Sequence, residues 1–157
     1  MEDRAIMKLG IDKAMETMRR NFGGPFGAVI IDKNGEIVSI ASNTVLKDND
    51  PTAHAEINAI RLACETLGTY DLKDCILYTT CYPCPMCLSA VIWANIKKIY
   101  YACTKEDAAE VGFRDNYIYE FIKGQCDDED VLEMVSMDKE EAMELFKKYS
   151  EKKKIIY

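Results

Sequence analysis

The stretch Pro83-Cys84-Pro85-Met86-Cys87 places two thiols three residues apart, between two segments of different character. Before it, residues 75–81 are rich in β-branched and aromatic side chains, which predicts a strand. After it the chain is apolar, and residues 85–94 are predicted to form a helix. Thiols at this spacing, on a turn between a strand and a helix, can bind one zinc ion.

The only histidine of the protein, His54, lies upstream of this turn, and Glu56 follows it two positions later. Zinc accepts histidine nitrogen and cysteine sulfur, and a catalytic site has three protein ligands and a fourth position for water. We therefore expect His54, Cys84 and Cys87 to bind one zinc ion per subunit. A His-x-Glu pattern with a Pro-Cys-x-x-Cys pattern is the signature of zinc nucleobase deaminases.

Glu56 is predicted to transfer protons and not to bind the metal. Two residues along a helix correspond to about half a turn, so His54 and Glu56 cannot both face the ion in the same way. Glu56 can instead take a proton from the activated water and deliver it to a ring nitrogen, then to the departing ammonia. Helix starts near His54 and Cys84 would point N–H groups at the site, which favours thiolate.

A closed structural site is the alternative, and it would need a fourth protein ligand. Cys81 precedes Cys84 at the same spacing that separates Cys84 from Cys87, so it is the first candidate. Pro83 separates Cys81 from the turn, which argues against it, and a structural site has no use for Glu56. The other cysteines are interpreted as small buried residues or incidental thiols: Cys64, Cys75, Cys103 and Cys126.

Composition is that of an ordinary globular protein. The 157 residues are 48% hydrophobic and 30% charged, which predicts one domain over residues 1–157. The net charge of −7 argues against a nucleic-acid partner, because phosphate contacts require a basic surface. No apolar run approaches the ~20 residues that span a bilayer. Seven cysteines without a secretion signal predict reduced thiols and a cytoplasmic location.

Hydrophobic periodicity predicts helices and strands in alternation. The expected helices cover residues 3–20, Pro51 or Thr52 to Gly68, 85–94, 105–111, 116–123, and a last helix capped by Asp138 with Glu141 as in a capping box. The expected strands cover residues 26–31, 36–42, 75–81, 96–102 and 131–137. The fold class is therefore α/β, a three-layer α/β/α arrangement with a five-stranded mixed sheet covered by helices.

Two segments carry a family resemblance: Pro51-Thr52-Ala53-His54-Ala55-Glu56 and Pro83-Cys84-Pro85-Met86-Cys87 resemble the cytidine-deaminase-like superfamily. Gly24-Pro25-Phe26-Gly27-Ala28-Val29-Ile30 extends the resemblance to purine deaminases. Ala108-Ala109-Glu110-Val111-Gly112-Phe113 and the final Tyr157 are similar to the bacterial guanine deaminases. The resemblance implies a homodimer with exchanged C-terminal segments. It also implies hydrolysis of free guanine to xanthine and ammonia.

The same resemblance implies substrate contacts. Asn43 would contact the purine with its amide, and Asp115 would accept hydrogen bonds from the base and assist proton transfer. Tyr157 would reach an active site through the exchanged tail. The remaining expected contacts are apolar: Phe26, Ala55 and Trp93. Structural alternatives stay open, because Asn43 and Asp115 can cap a turn and a helix, Tyr157 can be a mobile chain end, and Trp93 can belong to the core.

Tyr82 departs from the family pattern, because guanine and tRNA adenosine deaminases usually carry Glu at this position. The position is not a ligand, so the departure leaves zinc binding intact. It borders the expected pocket, however, and leaves other substrates open: another aminopurine, a cytosine-like base, a triazine, or adenosine in tRNA. A zinc-stabilised module without catalysis is the alternative from another class.

Overall fold

The computed structural model describes residues 2–152 and 155–157. The chain forms two compact units, Met1–Tyr119 and Glu120–Tyr157. The helices are α1 Asp3–Arg19, α2 Val45–Asp48, α3 Ala55–Leu67, α4 Pro85–Trp93, α5 Lys105–Glu110, α6 Asp115–Lys123 and α7 Lys139–Glu151. The strands are β1 Gly27–Ile31, β2 Ile37–Ser42, β3 Ile76–Cys81 and β4 Lys98–Cys103. None of the helices within the described ranges has the length and apolar character needed to cross a membrane.

The first unit is built on one mixed sheet with the strand order β2-β1-β3-β4. β1 is antiparallel to β2 and to β3, whereas β3 and β4 are parallel, with Cys81 opposite Cys103. Parallel strands need a crossover, and α4 supplies it. The carboxyl ends of β3 and β4 therefore meet at one edge of the sheet. The turn that carries Cys84 leaves the sheet at this edge.

Helices cover both faces of the sheet, because successive side chains of β1 point to opposite sides. Val29 and Ile31 pack with Ile6 of α1 on one face. Ala28 and Ile30 pack on the other face with a cluster from α3, α4 and β3 that includes Ala55, Ala59, Ala63, Leu77 and Val91. All five residues of β1 are buried. The predicted three-layer α/β/α fold is confirmed.

α1 approaches β1 closely at a pair of glycines, Gly10 on the helix and Gly27 on the strand. A Cβ added at Gly27 would overlap the carbonyl oxygen of Gly10. A Cβ added at Gly10 would meet Val29 Cγ2 at 3.6 Å, an ordinary van der Waals distance. A side chain at position 27 would therefore push α1 away from β1, whereas position 10 has room for a Cβ.

We expect Gly27→Ala to lower the free energy of unfolding by about 2–3 kcal/mol, because the helix and the strand must separate. Gly10→Ala is the matched control. It should be neutral or stabilise by up to ~1 kcal/mol, since alanine has the better helix propensity and the space is free. Urea unfolding of both variants measures the difference. Equal stability of the two would contradict the close approach.

The predicted fifth strand over residues 131–137 is wrong, and the sheet has four strands. Its apolar side chains are exposed, including Leu132, Met134, Val135 and Met137. A β-rich run becomes a strand only when a neighbouring strand satisfies its N–H and C=O groups. No such pairing reaches these residues in the part of the chain that the structure describes.

The boundaries of two helices also differ from the prediction. α3 begins at Ala55 with His54 at the N-cap, because Asp50 Oδ1 accepts hydrogen bonds from the Thr52 amide and hydroxyl and closes a separate turn first. Asp138 stands at the N-cap of α7 as predicted. Its φ of 52° lies in the left-handed region and its side chain makes no capping hydrogen bond, so the predicted capping box is wrong.

Candidate metal centre and active site

Three side chains from two helix starts converge at the edge of the sheet. His54 is the N-cap residue of α3, Cys84 is the N-cap residue of α4, and Cys87 lies in the first turn of α4. His54 Nδ1 lies 3.5 Å from Cys84 Sγ and 3.6 Å from Cys87 Sγ. Within the described residues, these three form the group of side chains that could hold a metal ion.

The distances fit a tetrahedral zinc site. Zn–S bonds near 2.3 Å and Zn–N bonds near 2.1 Å place nitrogen and sulfur about 3.6 Å apart at tetrahedral angles. Both thiols are buried, Cys87 completely, so little water competes for the metal. Two thiolates with a neutral imidazole also balance the charge of Zn²⁺. The donor set therefore fits zinc with three protein ligands.

The first turn of α4 prepares the thiols for this role. The Cys87 amide donates to Cys84 Sγ at 3.5 Å, and Pro85 follows Cys84 at the start of the helix. The hydrogen bond from the Cys87 thiol and the neighbouring His54 lower the pKa of the Cys84 thiol. The bond to Cys84 and burial raise the pKa of Cys87. The surroundings of Cys84 thus favour its thiolate form, which is the form that binds zinc.

Glu56 lies beside the three ligands but is not one of them. Its side chain is only 6% exposed, and burial raises the pKa of its carboxyl group. The Thr79 hydroxyl, on β3, donates to Glu56 Oε1 at 3.0 Å. This bond fixes the carboxylate from the sheet side. Glu56 therefore lies on the cavity wall with its carboxyl group held by Thr79.

We expect Thr79→Val to lower kcat of the reaction in which Glu56 transfers protons about tenfold. A hydrogen bond to a charged group contributes ~1.5–3 kcal/mol to the stability of the arrangement that contains it, and valine has no hydroxyl to donate. The substitution keeps the side-chain shape and removes the hydroxyl that orients Glu56. Steady-state kinetics at saturating zinc measure the loss. Thr66→Val on the exposed side of α3 is the control and should behave as the wild type. An unchanged kcat for Thr79→Val would contradict the orienting role.

A cavity of about 430 Å³ opens over this group. Its walls include three of the residues expected to bind the metal or transfer protons, His54, Cys84 and Glu56. They also include three of the expected substrate contacts, Asn43, Phe26 and Asp115. Asp115 is the first residue of α6, and burial raises the pKa of its carboxyl group. Ala55, an expected substrate contact, is fully buried and is not among the residues that line the cavity. Trp93 lies at the 66% exposed end of α4, away from the cavity walls. Tyr157 belongs to the second unit.

The comparisons with known proteins agree with this geometry. Residues 1–103 match the family model of the cytidine and deoxycytidylate deaminase zinc-binding region. The chain belongs to this deaminase family. A guanine deaminase of Bacillus subtilis (strain 168) is 52% identical over 122 residues, 78% of each chain. A tRNA-specific adenosine deaminase of Agrobacterium fabrum is 42% identical over 92 residues, 57% of this chain and 60% of the relative.

Solved structures of related deaminases share the fold. The crystal structure of the Bacillus subtilis guanine deaminase has a TM-score of 0.91 at 42% identity and covers 100% of this chain and 99% of that one. The guanine deaminase structure from Nitrosomonas europaea has a TM-score of 0.68 at 30% identity and covers 73% of this chain and 65% of that one. The predicted family is confirmed, and with it the enzyme class of zinc-dependent hydrolases.

Asn43 of this deaminase both supports a turn and faces the cavity. Its Oδ1 accepts hydrogen bonds from the Gly24 amide at 3.3 Å and from the Val45 amide at 3.1 Å. These bonds use the amide oxygen, and the amide nitrogen takes no part in them. The turn-capping alternative and the substrate-contact role are therefore compatible.

Several cavity residues of the deaminase were not expected from the sequence as functional. Phe113 packs edge-on against Phe26, with ring centroids 4.7 Å apart. Cys81 lines the cavity outside the ligand group, and burial raises the pKa of its thiol to about 12. Tyr82, in contrast to these residues, was expected to border the pocket, and it does lie on the cavity wall. Thr79 had no sequence signal, because its contact with Glu56 depends on how β3 packs against α3.

Proposed function

We propose that this deaminase hydrolyses free guanine to xanthine and ammonia, with one zinc ion per subunit. The observation that carries the proposal is the buried carboxyl group of Glu56 beside a group of three possible metal ligands at a cavity of about 430 Å³. The similarity to the Bacillus subtilis guanine deaminase supports guanine as the substrate. A structural zinc site would need a fourth protein ligand, and the group that the described residues form contains three.

His54, Cys84 and Cys87 would hold the metal. When bound, zinc supplies Lewis-acid activation of a water molecule. Glu56 would take one proton from the attacking water and give it to a ring nitrogen of the base. It would then take the second proton from the oxygen now bonded to carbon and give it to the amino nitrogen, so that the C–N bond breaks, ammonia leaves and the carbonyl group of the product forms. The Thr79 hydroxyl keeps the carboxylate in place during both transfers. Asp115, which lines the same cavity, would assist these proton transfers.

The cavity supplies contacts suited to a flat purine. Its volume lies in the range of about 300–1,000 Å³ typical of small-molecule sites. The rings of Phe26 and Phe113 form an apolar wall for the base. The Asn43 amide nitrogen can donate to a ring acceptor of the base, and the Asp115 carboxylate can accept from its N–H groups.

A panel of substrates tests the proposal. We expect ammonia release from guanine at least about a hundredfold faster, as kcat/KM, than from adenine or cytosine, since unpaired polar groups in the site reject the wrong base. A tRNA substrate is included, because the tRNA-specific adenosine deaminase of Agrobacterium fabrum is a relative. The net charge of −7 opposes tRNA binding. Turnover of tRNA alone, or of another heterocycle in preference to guanine, would overturn the guanine assignment.

We also propose a cytoplasmic homodimer in which the exchanged C-terminal segments bring Tyr157 to an active site. The family resemblance implies this dimer, and the structure of the Bacillus subtilis guanine deaminase matches this chain over its whole length, so the C-terminal segment belongs to the matched region. Light scattering at micromolar concentration measures the oligomeric state, and a monomer would refute the dimer. Deletion of residues 154–157 should lower turnover, and unchanged kinetics would remove Tyr157 from the site.

A further inference from the structure

One hydrogen bond connects the segment Pro83–Cys87, which we call the zinc turn, to α6, a helix that carries none of the three possible metal ligands. The Tyr119 hydroxyl, on α6, donates to the Pro83 carbonyl oxygen at 2.6 Å. Pro83 is fully buried and directly precedes Cys84. The bond joins residues 36 positions apart in the chain. It therefore reaches the peptide group that leads into the first cysteine ligand.

The Pro83 carbonyl needs a donor from outside α4. The carbonyl of Cys84, the N-cap residue, already accepts the first bond of the helix, from the Leu88 amide at 2.8 Å. The Pro83 carbonyl lies one residue earlier and has no such partner within the helix. A buried carbonyl without a donor destabilises the conformation that buries it. Tyr119 thus supplies a bond that the turn itself cannot make.

The same helix also carries a cavity carboxylate. Asp115 stands four residues before Tyr119, so both side chains lie on one face of α6. Asp115 lines the cavity beside Cys84, and Tyr119 holds the turn that ends in Cys84. The Tyr119 ring is itself held, because Lys105 Nζ lies 4.9 Å from its centroid and the Tyr82 ring lies 6.2 Å away.

We infer that Tyr119 is a positioning residue for the metal centre. Its hydroxyl fixes the Pro83–Cys84 peptide and sets the position of the zinc turn relative to Asp115. The inference rests on the proposed zinc-dependent function, but it concerns metal retention as well as turnover. No contact between Tyr119 and the substrate is required.

Tyr119→Phe tests this role, because it removes the hydroxyl and keeps the ring. We expect zinc to pass to a chromogenic chelator about fivefold to tenfold faster than from the wild type, the effect of one lost hydrogen bond. The kcat at saturating zinc should fall by a similar factor, with KM nearly unchanged. Tyr117→Phe is the matched control on α6, where Tyr117 is 51% exposed, and it should release zinc at the wild-type rate.

Another hydrogen-bond donor in place of the Tyr119 hydroxyl should restore the bond to the Pro83 carbonyl oxygen and, with it, zinc retention. With p-aminophenylalanine at position 119, zinc release is expected to return to the wild-type rate. This variant also decides the question if Tyr119→Phe does not fold. Wild-type release by Tyr119→Phe, equal effects of Tyr119→Phe and Tyr117→Phe, or fast release with p-aminophenylalanine would each overturn the positioning role. Zinc release does not depend on the substrate, so a failed guanine assay leaves this test valid.

Discussion

Replacing Glu56 by glutamine is expected to lower kcat for deamination by about 10³-fold while zinc stays bound. Glutamine keeps the volume of the buried side chain, and its amide oxygen can still accept from the Thr79 hydroxyl. It cannot accept and return a proton, which is the role proposed for Glu56. Because Glu56 lies outside the ligand group, the metal should be retained. The ratio of zinc to protein and the kcat measured on the same sample test both statements.

The matched control is Glu65→Gln on the same helix, at an exposed position. It changes the charge of the protein by the same amount and should leave kcat and zinc content unchanged. Turnover of Glu56→Gln near the wild-type rate would refute proton transfer by Glu56. Loss of zinc from Glu56→Gln would instead indicate that the carboxylate binds the metal.

The composition of the metal group could be predicted from the sequence because its signals are local. Zinc needs histidine nitrogen and thiolate, and two short patterns at helix starts supply them. The structure brings His54, Cys84 and Cys87 to within 4.8 Å of one another. Cys81 lies outside the group, in agreement with the argument from Pro83. The three-layer α/β/α fold could be predicted for the same reason, because the apolar periodicity of each segment is also a local signal.

The supporting contacts could not be predicted, because they join distant parts of the chain. Thr79 reaches Glu56 across 23 positions and Tyr119 reaches Pro83 across 36. Neither pair has a spacing that repeats in a helix or strand, so only the packed fold reveals it. The strand predicted over residues 131–137 does not form, for a related reason. A pattern of side chains indicates which face is apolar, but pairing with another strand decides whether a strand forms.

Replacing Cys87 by serine is expected to abolish stoichiometric zinc binding and, with it, turnover. Cys87 is completely buried, and its sulfur lies 3.6 Å from His54 Nδ1. A serine hydroxyl is shorter than a thiol and does not ionise near neutral pH, so it does not replace a thiolate ligand. Metal analysis after dialysis, followed by guanine turnover with added zinc, measures the loss.

The thermal stability of the same variant separates metal binding from packing. A ligand that binds only the folded state stabilises it, by ~4 kcal/mol at about a thousand times its Kd. The wild type should therefore gain a large increase in Tm on zinc addition, and Cys87→Ser should gain little. The comparison uses the zinc-dependent increment, because a hydroxyl at this buried position also lowers the stability of the metal-free protein. Cys103→Ser on β4, where the thiol is exposed, is the control and should keep the full increment. An equal increment in Cys87→Ser would show that zinc stabilises the protein through other ligands.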